Sequence, residues 1–297
     1  MKILVIGAAG FIGAQTFAYF SKDHEVWGAD IIDVRNGKNY FKLEIEHTNF
    51  ERIFEDQKFD VCVNASGNGS VPISLNKPVF DFELNVANTI KILDAIRIYN
   101  PECKFINMSS AAVYGNPSIL PITEGVELKP LSPYGWHKLY AEQVCKEYYY
   151  LYNLQTINLR LFSVYGEHLK KQLFWDIYQK TLRSKQIELF GSGKETRDFI
   201  YIQDLLFAIQ CIIEKGLFNG ESLNVASGVE TTIREAAEIF CKAIDEEIQI
   251  SFNNIVKPGD PLNWRADINS IKKFGFEPKV EVREGLQNTA RWLLGNK

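Results

Sequence analysis

Short apolar runs and longer amphipathic segments alternate along the first half of the chain. "KILVIG" (2–7) and "FDVCVNAS" (59–66) are continuous apolar stretches bounded by turn residues, the pattern of strands covered on both faces. "EVWGAD" (25–30), "YFKLEI" (40–45), "KFINMSS" (104–110) and "TINLRLFSVYG" (156–166) read as further strands. Between them, "GFIGAQTFAYFSKD", "TNFERIFEDQ" and "VFDFELNVANTIKILDAIRIYN" (79–100) carry helical spacing, and another helix opens near Tyr134 after a Pro- and Gly-rich loop over 114–133. Strand and helix in alternation predict a parallel sheet with crossover helices. After Gly166 the rhythm changes. Polar helices such as "LFWDIYQKTLRSKQ" and turn-rich stretches predict a smaller lobe, while "RDFIYIQDLLFAIQCII" and "SLNVAS" read as returns to the main sheet.

The 297 residues suit one large domain or two lobes, and 46% hydrophobic with 24% charged residues is the composition of a soluble globular protein. A net charge of −4 without blocks of like charge speaks against a nucleic-acid or anionic-membrane partner. Small-molecule chemistry is therefore expected. The 5 cysteines are scattered, lack any CxxC spacing, and read as reduced, buried thiols of a cytoplasmic protein. The histidines show no metal-ligand spacing. The apolar start "MKILVIGAAGFIG" has a single lysine and glycines at turn positions, so it reads as a first strand and not as a signal peptide. No run reaches membrane-spanning length.

"GAAGFIG" places Gly7, Gly10 and Gly13 directly after a strand, where a helix begins. A tight turn, close backbone approach and a helix N-terminus together suit a dinucleotide pyrophosphate. Asp30, ending the second strand, is placed to accept from an adenosine ribose hydroxyl and to repel a 2′-phosphate. NAD is the expected cofactor, and the nearby Arg35 leaves NADP possible. The expected fold is thus α/β, a Rossmann-type doubly wound parallel sheet (1–166 plus about 199–226) with a smaller, discontinuous C-terminal substrate-binding lobe (167–198 and 227–297).

In "SPYGWHKLYAE", Tyr134 and Lys138 are spaced i, i+4, which sets both on one helix face with Cβ atoms roughly 5–6 Å apart. An ammonium beside a phenol favours the phenolate and would make Tyr134 a base near neutral pH. An ordinary surface pair has the same spacing, so the rest of the chain must decide.

"GAAGFIG", "MSSAAVYGNP", "SPYGWHK", "LRLFSVYG", "GSGKETRDFIYIQD" and "KPGDPLNWRADI" follow one another nearly end to end. With these strings the chain resembles the extended short-chain dehydrogenase/reductase group, specifically the NAD-dependent epimerase/dehydratase enzymes that act on nucleotide-diphosphate sugars. The resemblance implies a catalytic Ser110, Tyr134 and Lys138, with Tyr134 the base, Lys138 on the nicotinamide ribose and Ser110 on the substrate oxygen. It implies cofactor contacts from Gly7, Gly10, Phe11, Ile12, Gly13, Asp30, Glu44, Ile45, Ala65, Ser66, Gly67 and Asn85, besides Tyr134 and Lys138. Asn64 would line the same stretch. It assigns the nucleotide sugar to Ser110, Ser163, Arg197, Lys257, Asp260 and Trp264. Trp264 falls where residue size limits the C2 substituent of the sugar. His137 stands where the family commonly has serine and reads as a packing or surface residue. The helices 79–100 and 134–152 correspond to those that form a homodimer in such enzymes.

Sugar 4,6-dehydratases carry an acid pair after the catalytic hydroxyl residue, and related decarboxylases keep a glutamate there. This chain has Ala111 and Ala112. Methyl groups cannot transfer a proton, so both chemistries are disfavoured. Two readings stay open: a UDP-glucose 4-epimerase-like enzyme, and a 4-ketosugar reductase consuming NAD(P)H. The carboxylate of Asp30 tilts toward the first. A nucleotide-binding relative without activity would require a broken triad, and this triad is intact.

Overall fold

A computed structural model describes residues 1–34, 38–44, 48–255, 259 and 261–295. The chain begins β1 (Lys2–Ile6), α1 (Phe11–Phe20), β2 (Glu25–Asp30), β3 (Tyr40–Lys42), α2 (Glu51–Asp56) and β4 (Val61–Asn64). It continues through α3 (Val71–Asn76), α4 (Pro78–Phe82), a π-helical turn (Glu83–Ala87), α5 (Asn88–Tyr99), β5 (Lys104–Ser110), a 3₁₀ turn (Ala111–Val113), α6 (Pro133–Tyr152) and β6 (Thr156–Leu161). Next come β7 (Ser163–Tyr165), α7 (Gln172–Thr181), β8 (Gln186–Leu189), β9 (Thr196–Tyr201), α8 (Ile202–Lys215) and β10 (Asn219–Val225). The last elements are β11 (Glu230–Thr232), α9 (Ile233–Ile244), β12 (Gln249–Phe252), α10 (Asn269–Lys272) and α11 (Val282–Gly295).

Seven strands form one sheet in the order β10-β6-β5-β4-β1-β2-β3. Pairing is parallel between β1 and β2, β1 and β4, β2 and β3, β4 and β5, and β5 and β6. This is the doubly wound Rossmann-type arrangement the alternation predicts. Strand order reverses beside β1, and such sheets hold ligands past the strand C-termini at that switch point. β4 has no exposed residue, which explains why 59–66 reads as a continuous apolar stretch; β6 is equally buried but includes Asn158 and Arg160. Ile6, Phe54, Ile92, Ile96 and Phe105 pack between sheet and helices with 0% exposure. All the cysteines are free and buried, as their scatter suggested.

The chain divides into two compact units, residues 1–115, 128–161 and 209–223 in the first and 116–127, 162–208 and 224–297 in the second. In the second unit, β9 lies in a three-stranded sheet, parallel to β7 and antiparallel to β11. "RDFIYI" therefore does not return to the main sheet, whereas "SLNVAS" does, as β10. The run "TINLRLFSVYG" likewise divides between two sheets at Phe162, whose N–H donates to Val225. Asp198, 0% exposed, accepts from the backbone N–H groups of Ser227, Gly228 and Ala266 and from the Ser227 hydroxyl. Burial pushes its carboxyl up to about 6 against those bonds.

Candidate active site

The turn between β1 and α1 is built for close approach. Gly7 has φ +84°, and a Cβ at Gly13 would lie 2.0 Å from the Gly7 carbonyl oxygen. No side chain caps α1 at Gly10, so the first-turn N–H groups of Phe11, Ile12 and Gly13 keep their donors for a ligand. Asp30, at the end of β2, accepts from Ala9 N–H at 3.0 Å and thus holds the turn from the adjacent strand. Past β4, the Asn64 side chain accepts from the Ser66 hydroxyl at 2.6 Å, and Gly67 takes φ +106°. Ala65 and Ser66 are half-buried. Glu44 is exposed beyond β3. Ile45, like Arg35, Lys257 and Asp260, lies outside the described residues.

Asn85 sits in the π-helical turn, 3% exposed. Its Nδ2 donates to the Asn68 and Asp81 carbonyls and to Asp81 Oδ1, while its buried Oδ1 has no protein partner. A Cβ at Gly67 would stand 2.4 Å from that oxygen. A buried acceptor left over beside a glycine fits a ligand amide or hydroxyl donor. The glycine turn, the open helix end and this acceptor all belong to the first unit and suit a dinucleotide.

Ser110 ends β5 and its Oγ accepts from Ala112 N–H at 3.2 Å, which starts the 3₁₀ turn. α6 begins at the Ser132 cap, whose Oγ accepts from Gly135 N–H, followed by Pro133. Gly135 is required here, because a Cβ would come within 2.6 Å of the Ala112 carbonyl oxygen. That approach brings the first turn of α6 against the end of β5, close enough for the Ser110 hydroxyl to draw the Tyr134 phenol down from the value its burial sets. Lys138, 7% exposed, donates from Nζ to the Met108 carbonyl at 2.9 Å and lies 5.9 Å from the Tyr134 ring centre. The three residues named from the sequence thus meet at the C-terminal end of β5.

Their ionisation differs from the simple expectation. Burial pushes the Tyr134 phenol above its ordinary value, the Ser110 hydrogen bond pulls it down, and the charge of Asp81 pushes it up again. Burial draws the Lys138 ammonium down to about 8, with Asp81 and Glu142 opposing. The protein alone therefore does not leave Tyr134 an unusually strong acid. The unfolded chain keeps the lysine proton up to about 10.5, so burying Lys138 costs stability below pH 8, and the cost is relieved between about 8 and 10.5. Lys138→Met is expected to stabilise the fold at neutral pH by about 1–3 kcal/mol. Parallel thermal melts of variant and parent at pH 7 and pH 10 check the gain and its loss at high pH.

Around the triad, Glu142 accepts from Ser109 Oγ at 2.5 Å and from Arg160 Nη2 at 2.8 Å, and Arg160 Nη1 donates to Tyr114 Oη. Neither this network nor Asp81, 0% exposed, against which His137 lies, is visible from residue spacing. A helix-period reading places an acid within "VFDFELN" on the solvent face. The one available signal was the i, i+4 spacing of Asp81 and Asn85.

In the second unit, Arg197 Nη1 donates to the carbonyls of Thr196 and Leu262, and its guanidinium lies over the Trp264 ring at 5.7 Å. Trp264, 8% exposed, meets Phe162 edge-on. Ser163 begins β7 and is half-buried. Among the described residues there is no cluster of metal-binding side chains, and no helix is long and apolar enough to cross a membrane.

The sequence profile of the NAD dependent epimerase/dehydratase family matches residues 3–226. The chain belongs to that family. It is 28% identical to a UDP-glucuronate 4-epimerase of Thermodesulfobacterium geofontis, covering 99% of this chain and 96% of the relative. Among solved structures, the UDP-glucose 4-epimerase of Thermotoga maritima with UDP-glucose superposes with a TM-score of 0.91 at 27% identity, covering 100% of this chain and 99% of the other. The UDP-glucuronic acid 4-epimerase of Bacillus cereus, in complex with UDP-glucuronic acid and NAD, gives 0.90 at 27% identity with both chains fully covered. Homologues of this epimerase/dehydratase chain include UDP-glucose and UDP-glucuronate 4-epimerases and dTDP-glucose 4,6-dehydratases, and its fold matches that of the two solved 4-epimerases along the whole length.

Proposed function

We propose that this enzyme epimerises a UDP-hexose at C4 by transient oxidation with bound NAD. The observation that carries this reading is the meeting of Ser110, at the C-terminal end of β5, with Tyr134 and Lys138 on one face of α6, where Lys138 Nζ donates to the Met108 carbonyl of the same strand. Tyr134 Oη takes the proton from the C4 hydroxyl, and the Ser110 hydroxyl donates to that oxygen as it becomes a carbonyl. On return Tyr134 gives the proton back. Lys138 holds the nicotinamide ribose from its anchor on Met108. The cofactor, when bound, supplies a hydride acceptor and a positive charge near the phenol. The first unit is the NAD-binding domain, the glycine turn and Asn85 being its contacts; Asp30, which repels a 2′-phosphate, favours NAD over NADP. The second unit carries the nucleotide-sugar residues Ser163, Arg197, Lys257 and Asp260.

Ala111, 0% exposed, and Ala112 offer no acid for elimination, so oxidation and reduction at one carbon remain. With UDP-glucose and catalytic NAD alone, UDP-galactose should form until equilibrium. Stoichiometric consumption of NAD(P)H with a 4-ketosugar would support the reductase reading instead. Trp264 limits the C2 substituent in this reading: Trp264→Ser is expected to raise kcat/KM for UDP-N-acetylglucosamine relative to UDP-glucose, measured in competition.

The enzyme acts as a homodimer in this reading. On α5 and α6, Ile90, Ile98, Trp136, Tyr140 and Tyr152 are 40–48% exposed, and Tyr150 and Leu151 65–66%. A surface so rich in tyrosine and isoleucine is what interface cores enrich. Sedimentation at micromolar concentration should give twice the chain mass; a monomer would end the dimer proposal.

A further inference from the structure

One buried side chain ties four segments of the first unit together. Asp81, on α4, has no exposed surface. Its Oδ1 accepts from Asn68 Nδ2, in the loop after β4, at 2.5 Å and from Asn85 Nδ2, in the π-helical turn, at 3.2 Å. Its Oδ2 accepts from His137 Nδ1, on α6, at 2.5 Å. The three donors are buried as well, Asn68 and His137 at 9% exposure and Asn85 at 3%. Asn68 is fixed within its own loop, its Oδ1 accepting from Ser70 N–H at 3.1 Å and its Nδ2 donating to the Ser70 carbonyl at 2.9 Å.

This knot fixes the Asn85 amide. Its Nδ2 meets three oxygens at 3.2–3.3 Å: the Asp81 carboxylate, the Asp81 carbonyl and the Asn68 carbonyl. Turning the amide over would set its own oxygen against all three and lose every one of those bonds. The amide is therefore held one way round. Its Oδ1 stays a buried acceptor with no protein partner, in space that a Cβ at Gly67 would fill. A buried acceptor is costly until a donor reaches it, and here the donor has to come from a ligand.

We propose that Asp81, braced by Asn68 and His137, is a positioning residue for NAD: it locks the Asn85 amide so that Oδ1 accepts from an N–H or O–H donor of the bound cofactor. This role rests on the reading of the first unit as the NAD-binding domain. Asp81 acts through Asn85 and not by contact with the cofactor. The lock needs an acceptor at position 81, not a negative charge. Asp81→Asn keeps one, since its amide oxygen can face Asn68 and Asn85 while its NH₂ group donates to His137 Nδ1 in the other tautomer. Asp81→Leu has similar size and offers no acceptor.

A double-mutant cycle on the full chain tests this, read as the dissociation constant for NAD by titration calorimetry and needing no turnover. Asn85→Ala should weaken NAD binding about ten-fold, the loss of one buried hydrogen bond. Asp81→Leu should cost about the same in the parent but no more than about two-fold in the Asn85→Ala background, where nothing is left to position. Asp81→Asn should stay within about three-fold of the parent. A merely structural role predicts equal losses from Asp81→Leu in both backgrounds, and that result would overturn the proposal. So would an Asp81→Asn as damaging as Asp81→Leu, or an Asn85→Ala that binds NAD like the parent. Should the leucine variant not fold, Asp81→Ser, too short to hold the Asn85 amide, replaces it with the same expectations. A parent that binds no NAD would end the reading of the unit and the proposal together, whereas additive losses in a parent that binds NAD would end the proposal alone.

Discussion

Tyr134→Phe is expected to lower kcat by about 10³-fold with little change in KM, because a positioned acid–base group contributes on that order. The substitution removes one hydroxyl and leaves the ring, so the Ser110 end of β5 and the helix start capped by Ser132 keep their packing. The Lys138 anchor on Met108 is independent of the phenol. NAD affinity should therefore change by less than a few-fold, and circular dichroism should match the parent. Steady-state rates with UDP-glucose and titration of NAD binding by fluorescence check the two halves. Turnover within a factor of ten of the parent would remove Tyr134 from the chemistry.

Glu142→Ala should have the largest effect on stability, about 3–5 kcal/mol, since it leaves a guanidinium buried without its carboxylate. Arg160 is 5% exposed and Glu142 2%. Burial works against the Arg160 charge, but the hydrogen bonds and charge of Glu142 outweigh it and hold the group cationic. Removing the acid also frees the hydroxyls of Ser109 and Ser222, which donate to it at 2.5 and 3.1 Å. Because Ser109 precedes Ser110, the loss should reach the active site as a lower kcat in whatever protein still folds. Urea denaturation should show a lower midpoint at unchanged slope. The paired replacement Glu142→Met with Arg160→Met should be markedly less harmful than the single change, since no lone charge remains.

Much of this architecture was legible because its causes are local. β1 and β4 are buried along nearly their whole length, so their apolar runs stand out, whereas β6, equally buried, carries Asn158 and Arg160 and is less plain in the sequence. Gly7 and Gly13 are fixed by a left-handed turn and a 2.0 Å approach that other residues cannot make, and the motif therefore shows in the sequence. Tyr134 and Lys138 share a helix face by period alone. Sheet membership was less legible: an apolar strand does not state its partner, and "RDFIYI" joins β7 and β11 instead of the main sheet. The π-helical turn at 83–87 hides inside a stretch that reads as one helix from 79 to 100. Asp81 and His137 were hidden for a different reason. They are far apart in sequence, and each alone resembles a surface residue; only their meeting makes them an internal pair.

The proposed chemistry moves one hydride off the sugar C4 and back to the same carbon, so the origin of that hydrogen is the most direct test. UDP-glucose deuterated at C4 of the hexose should give UDP-galactose that retains the deuterium at C4, with no label in water and no net consumption of NAD. Deuterium lost to solvent, or product formed only as added reduced cofactor is consumed, would contradict the account.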